Sequence, residues 1–454
     1  MLRKTLTALL LLNLLPAPLF AQSVETGQAK PLVLKHVTVI DAASAQPMPD
    51  MTVVIIGGRI TELRKSTTGG HIPRGAQVLD ATSKYLIPGL WDMHVHLSWT
   101  KATALPVLIA NGVTTVRDVG GRLGELDEWR TKIAAGLLVG PRILRAGPIL
   151  NGKSFNPLQM VPGNPDETRG VVRALKEVGV DFLKTHRRLP RDSYFALIDE
   201  AKKQGLSVVG HIPMTVTPEE ASDAGQLTIE HTETLFEGTF TAALKDRKLP
   251  DAIRQFRADG AEKLFARFVK NHTVVDPTLI AFRTYAEFSD PSTPPDPRSR
   301  YVALSLKKEW QKLAQPVSAE DLAELKQMVV ELREVTRLMH RSGVTLVAGS
   351  DIAGPRVPGF SLHNELVLLV EAGLTPLEAL QAATLTPAKV LNKANDLGTI
   401  GVGKLADLVL LDGNPLEDIL NTQRIRAVIV NGRLLDRAAL DRLLADAELA
   451  AQKS

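Results

Sequence analysis

A chain of 454 residues with 44% hydrophobic and 23% charged side chains has the composition of a globular protein with room for one large domain and an accessory one. Lysine and arginine total 54 against 50 acidic residues, and Arg3 and Lys4 supply two of those cations, so the remainder is almost neutral and carries no nucleic-acid footprint. Cysteine is absent, which excludes both a disulfide framework and a lipid-modified cysteine.

Residues 1–21 read as a secretory leader. Arg3-Lys4 form a short basic region, Leu6 to Leu15 an apolar run, and Pro16 to Ala21 a cleavage region. The apolar run is too short to span a bilayer comfortably, so the expectation is a periplasmic or secreted bacterial protein, cleaved near Ala21, with no stable membrane span afterwards. An uncleaved anchor is the alternative. Beyond the leader, Leu32–Ile40 and Thr52–Ile60 are rich in β-branched residues and are predicted as strands. The same texture returns at Asp407–Asp412 and Ile425–Arg433. Residues 22–86 and 398–454 are therefore expected to build one small β-sandwich from both ends of the chain, with a surface helix over Asp436–Ala450.

Between them, over residues 87–397, apolar strand-like runs alternate with amphipathic stretches, the pattern of a parallel α/β sheet. The runs are Leu90–His96, Val113–Val119, Arg142–Gly147, Asp181–His186, Ser207–His211, Leu227–His231, Thr273–Pro277 and Val344–Asp351. Eight is the number that closes a (β/α)8 barrel. Helical patterns such as Pro165–Val178 and Asp192–Gln204 separate them. The connection over residues 281–340 is long, with a turn-rich Asp290–Pro297 and a charged helical run over Ala319–Arg341. It is either a lid over the barrel mouth or an inert elaboration, and Tyr285 and Tyr301 flank the segment that would close over a ligand.

His94 and His96 are two residues apart, so on a strand both imidazoles point the same way and make a metal-ligand pair. A core strand with two satisfied histidines has the same spacing. The other strands decide: Lys184 sits on the fourth, His211 ends the fifth, His231 ends the sixth and Asp351 ends the eighth. All six lie near C-terminal strand ends, the face where barrel enzymes place their chemistry.

The motifs Pro88–His96, Phe182–Thr185, Val209–Pro213, Ile229–Thr232 and Ala348–Asp351, supported by Ser361–Leu366, Glu371–Pro376, Ala382–Pro387 and Gly403–Val409, resemble those of the amidohydrolase superfamily of metal-dependent hydrolases. The resemblance is to its imidazolonepropionase-related branch, which includes exported dipeptidase-like proteins. It implies a (β/α)8 barrel with a small β-sandwich and two divalent metal ions. His94, His96 and Asp351 would hold one ion, His211 and His231 the other, and Lys184, carrying a carbamate made from CO2, would bridge them. An unmodified, salt-bridged Lys184 is the alternative. Imidazole and carboxylate donors suit zinc, although manganese, iron or cobalt fits the same ligands. The implied reaction is attack of a metal-bridging hydroxide on a carbonyl, with Asp351 carrying the proton and His211 or His231 assisting the oxyanion.

The implied substrate is a small molecule with a C–N bond, such as a dipeptide or N-acyl amino acid. A lactone or phosphotriester hydrolase would use the same centre. A non-catalytic periplasmic metal- or solute-binding barrel is a reading of a different class; decay usually removes ligands, and all six are present. His186 shares the inward face with Lys184, and Arg187 and Arg188 could grip a substrate carboxylate, although a solvated basic turn looks the same. His363 is either a pocket residue or a histidine packed on the barrel. Family members commonly form dimers or larger assemblies, so a homo-oligomer is an open expectation.

Overall fold

The computed structural model describes residues 30–242, 248–313 and 317–453. The expected leader over residues 1–21 lies outside the described residues. Among those described, no helix is long and apolar enough to cross a membrane.

The centre of the fold is a TIM-type (β/α)8 barrel. Its strands are Leu90–Val95, Val113–Asp118, Arg142–Arg145, Leu183–Thr185, Val208–Gly210, Thr228–Glu230, Val274–Asp276 and Thr345–Leu346, one inside each run expected from sequence. Neighbours pair in parallel. The third strand reaches the fourth through Ile149–Leu150, which pairs with Lys184 and Thr185. The ring closes where Met93 N donates to Ala348 O (2.9 Å) and Asp351 N to His94 O (2.7 Å). These strands are buried on both faces, which is why they read as apolar runs rather than alternating ones. The outer helices start and stop on local signals. Pro165–Val178 is capped by Asn164, whose side chain accepts from Glu167 N, and ends at Gly179 in the left-handed region.

Both chain ends build a second sheet. Leu32–Val39, Met48–Ile56, Arg59–Lys65, Gln77–Asp80 and Tyr85–Pro88 are joined by Leu408–Leu411, Ile425–Val430 and Arg433–Asp436. The seam is antiparallel, Leu408 opposite Pro88 and Leu411 opposite Tyr85. Leu32–Val39 pairs with Gln77–Asp80 along its first half and Tyr85–Pro88 along its second, so the sheet branches. Its apolar core includes Leu34, Val53, Ile60, Leu86, Leu408, Leu410 and Ile429.

Two expected strands are hairpins instead. Thr52–Ile60 turns back at Gly57-Gly58 and Ile425–Arg433 at Asn431-Gly432, and all four turn residues have positive φ. Two-residue turns of that kind match the twist of paired strands, so Gly-Gly and Asn-Gly outweigh the β-branched run around them. The chain leaves the sheet for the barrel at Gly89, two residues beyond the expected start at residue 87. A Cβ there would lie 2.1 Å from Thr114 Oγ1, and Gly89 N donates to Asp407 O at 2.7 Å. Only glycine passes through that contact.

The long excursion decides between its two expected readings. Ala319–Arg341 buries Leu332, Val335 and Met339 in the barrel's main core and is an outer barrel helix, not a lid. Tyr301 is buried and stacked on Phe360 at 5.7 Å between centroids, and Tyr285 is half exposed. The excursion walls a cavity of about 500 Å³ with Trp310 and Phe288, and Pro355 lines it from beyond the eighth strand, but none of the six expected ligands does.

Candidate metal centre

The first strand delivers His94 and His96 to one place by its alternation. His96 Nδ1 donates to the Gly120 carbonyl at 2.9 Å, which leaves its Nε2 with the lone pair. His94 Nδ1 meets Glu230 Oε2 at 3.2 Å, and its Nε2 is buried without a partner. The two Nε2 atoms lie 3.6 and 3.7 Å from Asp351 Oδ1. Potential ligand atoms of His94, His96 and Asp351 all fall within 4.8 Å of one another. Asp351 reaches this position with φ at 49°, and its Oδ2 accepts from Arg356 Nη2 at 2.9 Å.

Three more imidazoles continue the array. Ring centroids are 4.6 Å apart for His94–His231, 4.6 Å for His211–His231 and 4.3 Å for His186–His211. His231 Nδ1 pairs with the Thr278 hydroxyl at 2.6 Å, whereas Nδ1 of His211 and of His186 is buried with no partner. His231 at φ 68° and Thr278 at φ 43° share the left-handed backbone of Asp351, a strain of order 1–3 kcal/mol each that tends to gather at functional sites.

Lys184 is almost wholly buried, and its Nζ has no partner. Gly210 on the next strand makes room for it: a Cβ there would stand 2.2 Å from Thr185 O and 2.9 Å from Lys184 Cδ. Burial pushes the Lys184 ammonium down to about 8, partly offset by the charges of Glu230, Asp351 and Asp276. Burial likewise holds His96 near 4 and His186 near 3, and puts His94, His211 and His231 well below the ordinary imidazole range. At neutral pH these rings are uncharged and can offer lone pairs.

The donor set fits divalent cations. Buried polar atoms without partners are rare, yet His94 Nε2, His211 Nδ1 and Lys184 Nζ are all orphaned here. A cation would satisfy the two imidazole lone pairs.

The other expected contacts divide. His186 belongs to the array. Arg187 stands at the rim, its Nη2 3.0 Å from Glu237 Oε1, and Arg188 lies over the Phe155 ring at 4.5 Å. His363 is elsewhere: it is buried between Thr422 Oγ1 (2.9 Å from Nδ1) and the Asn111 carbonyl (3.0 Å from Nε2). The helix Phe360–Glu371 turns that face toward the barrel wall, where His363 ties Thr422 to the Asn111 carbonyl.

A layer of buried charge was missed. Arg117 on the second strand joins Glu230 on the sixth and Asp276 on the seventh, with Nη2 at 2.7 and 3.4 Å from their carboxylates. Asp92 on the first strand bonds Ser350 and is pushed up to about 7 by burial. The signal was available, since charged residues inside otherwise apolar strands must find partners. His94, Glu230 and Asp276 also cluster like a ligand set, but the Arg117 guanidinium already sits between the carboxylates.

Imidazole, amine and carboxylate side chains gathered at the C-terminal ends of a (β/α)8 barrel define the class of metal-dependent barrel hydrolases. The chain belongs to the amidohydrolase family, whose sequence model matches residues 85–435. A structure from Bifidobacterium longum described as a candidate prolidase is similar over 93% of this chain and 100% of that one, with 27% identity and a TM-score of 0.69. Ochratoxinase from Aspergillus niger is 42% identical over 90 residues, 19% of this chain and 18% of the relative. Imidazolonepropionase from Geobacillus sp. (strain WCH70) is 49% identical over 60 residues, 12% of this chain and 14% of the relative. The aligned stretches span less than a fifth of these curated relatives.

Proposed function

We propose that this chain is an exported two-metal amidohydrolase that cleaves the C–N bond of a dipeptide or N-acyl amino acid. The observation carrying this reading is the His94–His96–Asp351 cluster, continued by the His231 and His211 rings, with buried donor atoms left unsatisfied there and on Lys184. His94, His96 and Asp351 would hold one cation and His211 and His231 a second, with zinc the best match to the donors. When bound, the ions supply Lewis acidity and lower the pKa of water.

The chain's own groups divide the remaining work. Lys184, whose burial keeps part of the amine neutral near pH 8, can add CO2 and release one proton. The carbamate so formed would give Lys184 an anionic oxygen with which to help hold the cations, where an ammonium would repel them. Asp351 presents Oδ1 to the histidine pair while Arg356 steadies Oδ2, which suits it to take a proton from water and return it to the leaving amine. Arg187 at the rim can receive a substrate carboxylate, and uncharged His186 can donate to or accept from the substrate. Export rests on the leader over residues 1–21, and the prolidase-like and ochratoxinase similarities favour amide substrates.

The test is a hydrolysis screen of the zinc-loaded mature chain against dipeptides, N-acyl amino acids, lactones and phosphotriesters, alongside metal analysis. Turnover of the first two classes with close to two ions per chain is expected. Turnover confined to lactones or phosphotriesters, or a chain that takes up no metal, would overturn the proposal.

A further inference from the structure

Arg117 is wholly buried on the second barrel strand, and every nitrogen of its guanidinium is engaged. Nε donates to Met93 O at 2.6 Å, Nη1 to Thr228 Oγ1 at 2.8 Å, and Nη2 to Glu230 Oε2 at 2.7 Å, with Asp276 Oδ2 at 3.4 Å. The Phe182 ring lies 5.9 Å from its Cζ. The Thr228 hydroxyl donates in turn to Glu230 Oε1. Glu230 Oε2 then stands 3.2 Å from His94 Nδ1, and His94 Nε2 faces Asp351 Oδ1. One uninterrupted route runs from the second strand through the sixth to the histidine on the first.

Burying a guanidinium beside carboxyl groups is costly before pairing offsets it. An apolar filling would close the barrel axis without that cost. What the charged layer adds is direction. A carboxylate that accepts from Nδ1 keeps the proton there, so the lone pair stays on Nε2, the nitrogen aimed at Asp351. The fork of Arg117 fixes the carboxylate itself, and its Nε bond to Met93 O anchors the fork to the residue preceding His94.

We propose that Arg117 and Glu230 are positioning residues for the metal centre: through the Glu230–His94 contact they set which imidazole nitrogen ligates and hold the ring in place. This rests on the metal-centre reading above and extends it to residues that touch no cation. Glu230→Gln keeps the volume and leaves Arg117 beside Asp276. Thr228→Val is nearly isosteric and removes the bond from Arg117 Nη1 and the bond to Glu230 Oε1, leaving the Arg117–Glu230 ion pair in place.

The test measures zinc affinity of the full chain by competition with a chromophoric chelator, together with zinc stoichiometry. Glu230→Gln is expected to weaken the tighter site about 10- to 100-fold, with Thr228→Val weaker in the same direction but less so. Where turnover is assayed, excess zinc should restore the Glu230→Gln rate toward wild type, which simple unfolding would not allow. Wild-type affinity in a folded Glu230→Gln chain overturns the positioning role while leaving the metal centre standing. Should Glu230→Gln fail to fold, unchanged affinity in Thr228→Val overturns it. A wild-type chain that binds no zinc removes both proposals.

Discussion

The molecule has two interiors of very different content. The core of the β-sheet, around Leu34, Val53, Ile60, Leu86, Leu408 and Ile429, is apolar throughout. The barrel interior is equally buried but holds Arg117, Lys184, His94, Glu230 and Asp276, each at most 1% exposed. The sheet's content follows from the hydrophobic effect alone. The barrel's does not, because each buried charge is a liability unless paired, and Lys184 is left without a partner. One interior is built to hold the chain together and the other to hold something else.

Substitutions should separate them. Lys184→Ala should reduce metal content to near zero and turnover to background, with no fall in the melting temperature of the metal-free chain, since there it removes an unsatisfied buried amine; metal analysis and calorimetry of the metal-free proteins check this. Asp351→Asn should keep much of the metal and lower kcat by about 10²–10⁴-fold, the range for a positioned acid–base group, in steady-state assays. In the apolar interior, Leu408→Ala should cost about 2–5 kcal/mol in denaturant unfolding, while the folded fraction keeps its full metal content. Loss of metal in that variant would erase the division of labour.

A subtler effect lies between the two. Burial holds His363 near 4, below its ordinary value of 6.5. The unfolded chain binds a proton that the folded chain refuses, so stability present above about pH 6.5 drains away as pH falls toward 4. The full loss is about 3 kcal/mol. His363→Gln should flatten that limb of the stability–pH curve and leave KM unchanged. A raised KM with an unchanged curve would return His363 to the substrate pocket.

Legibility from sequence followed the same division. The eight barrel strands could be placed because each is a short apolar run, and the histidines, lysine and aspartate at their ends stood out against that background. The network below them was not seen, because Arg117, Glu230 and Asp276 are single charges whose partners lie on strands far away in sequence. His363 shows the converse: its setting near the eighth strand fits both the pocket and the barrel wall, and only the rotation of its helix decides which way it points. In the sheet, Gly57-Gly58 and Asn431-Gly432 were local and readable, yet the β-branched runs around them masked two hairpins as single strands.

The antiparallel seam between Tyr85–Pro88 and Leu408–Leu411 has a consequence for how the protein is made. Leu408 docks on Pro88 from about 320 positions downstream, a loop closure that is entropically costly and slow. A ribosome would have produced almost the whole barrel before the first strands could find their final neighbours. Until then Tyr85–Pro88 would present an open edge, a natural place for a chaperone to bind and for aggregation to begin.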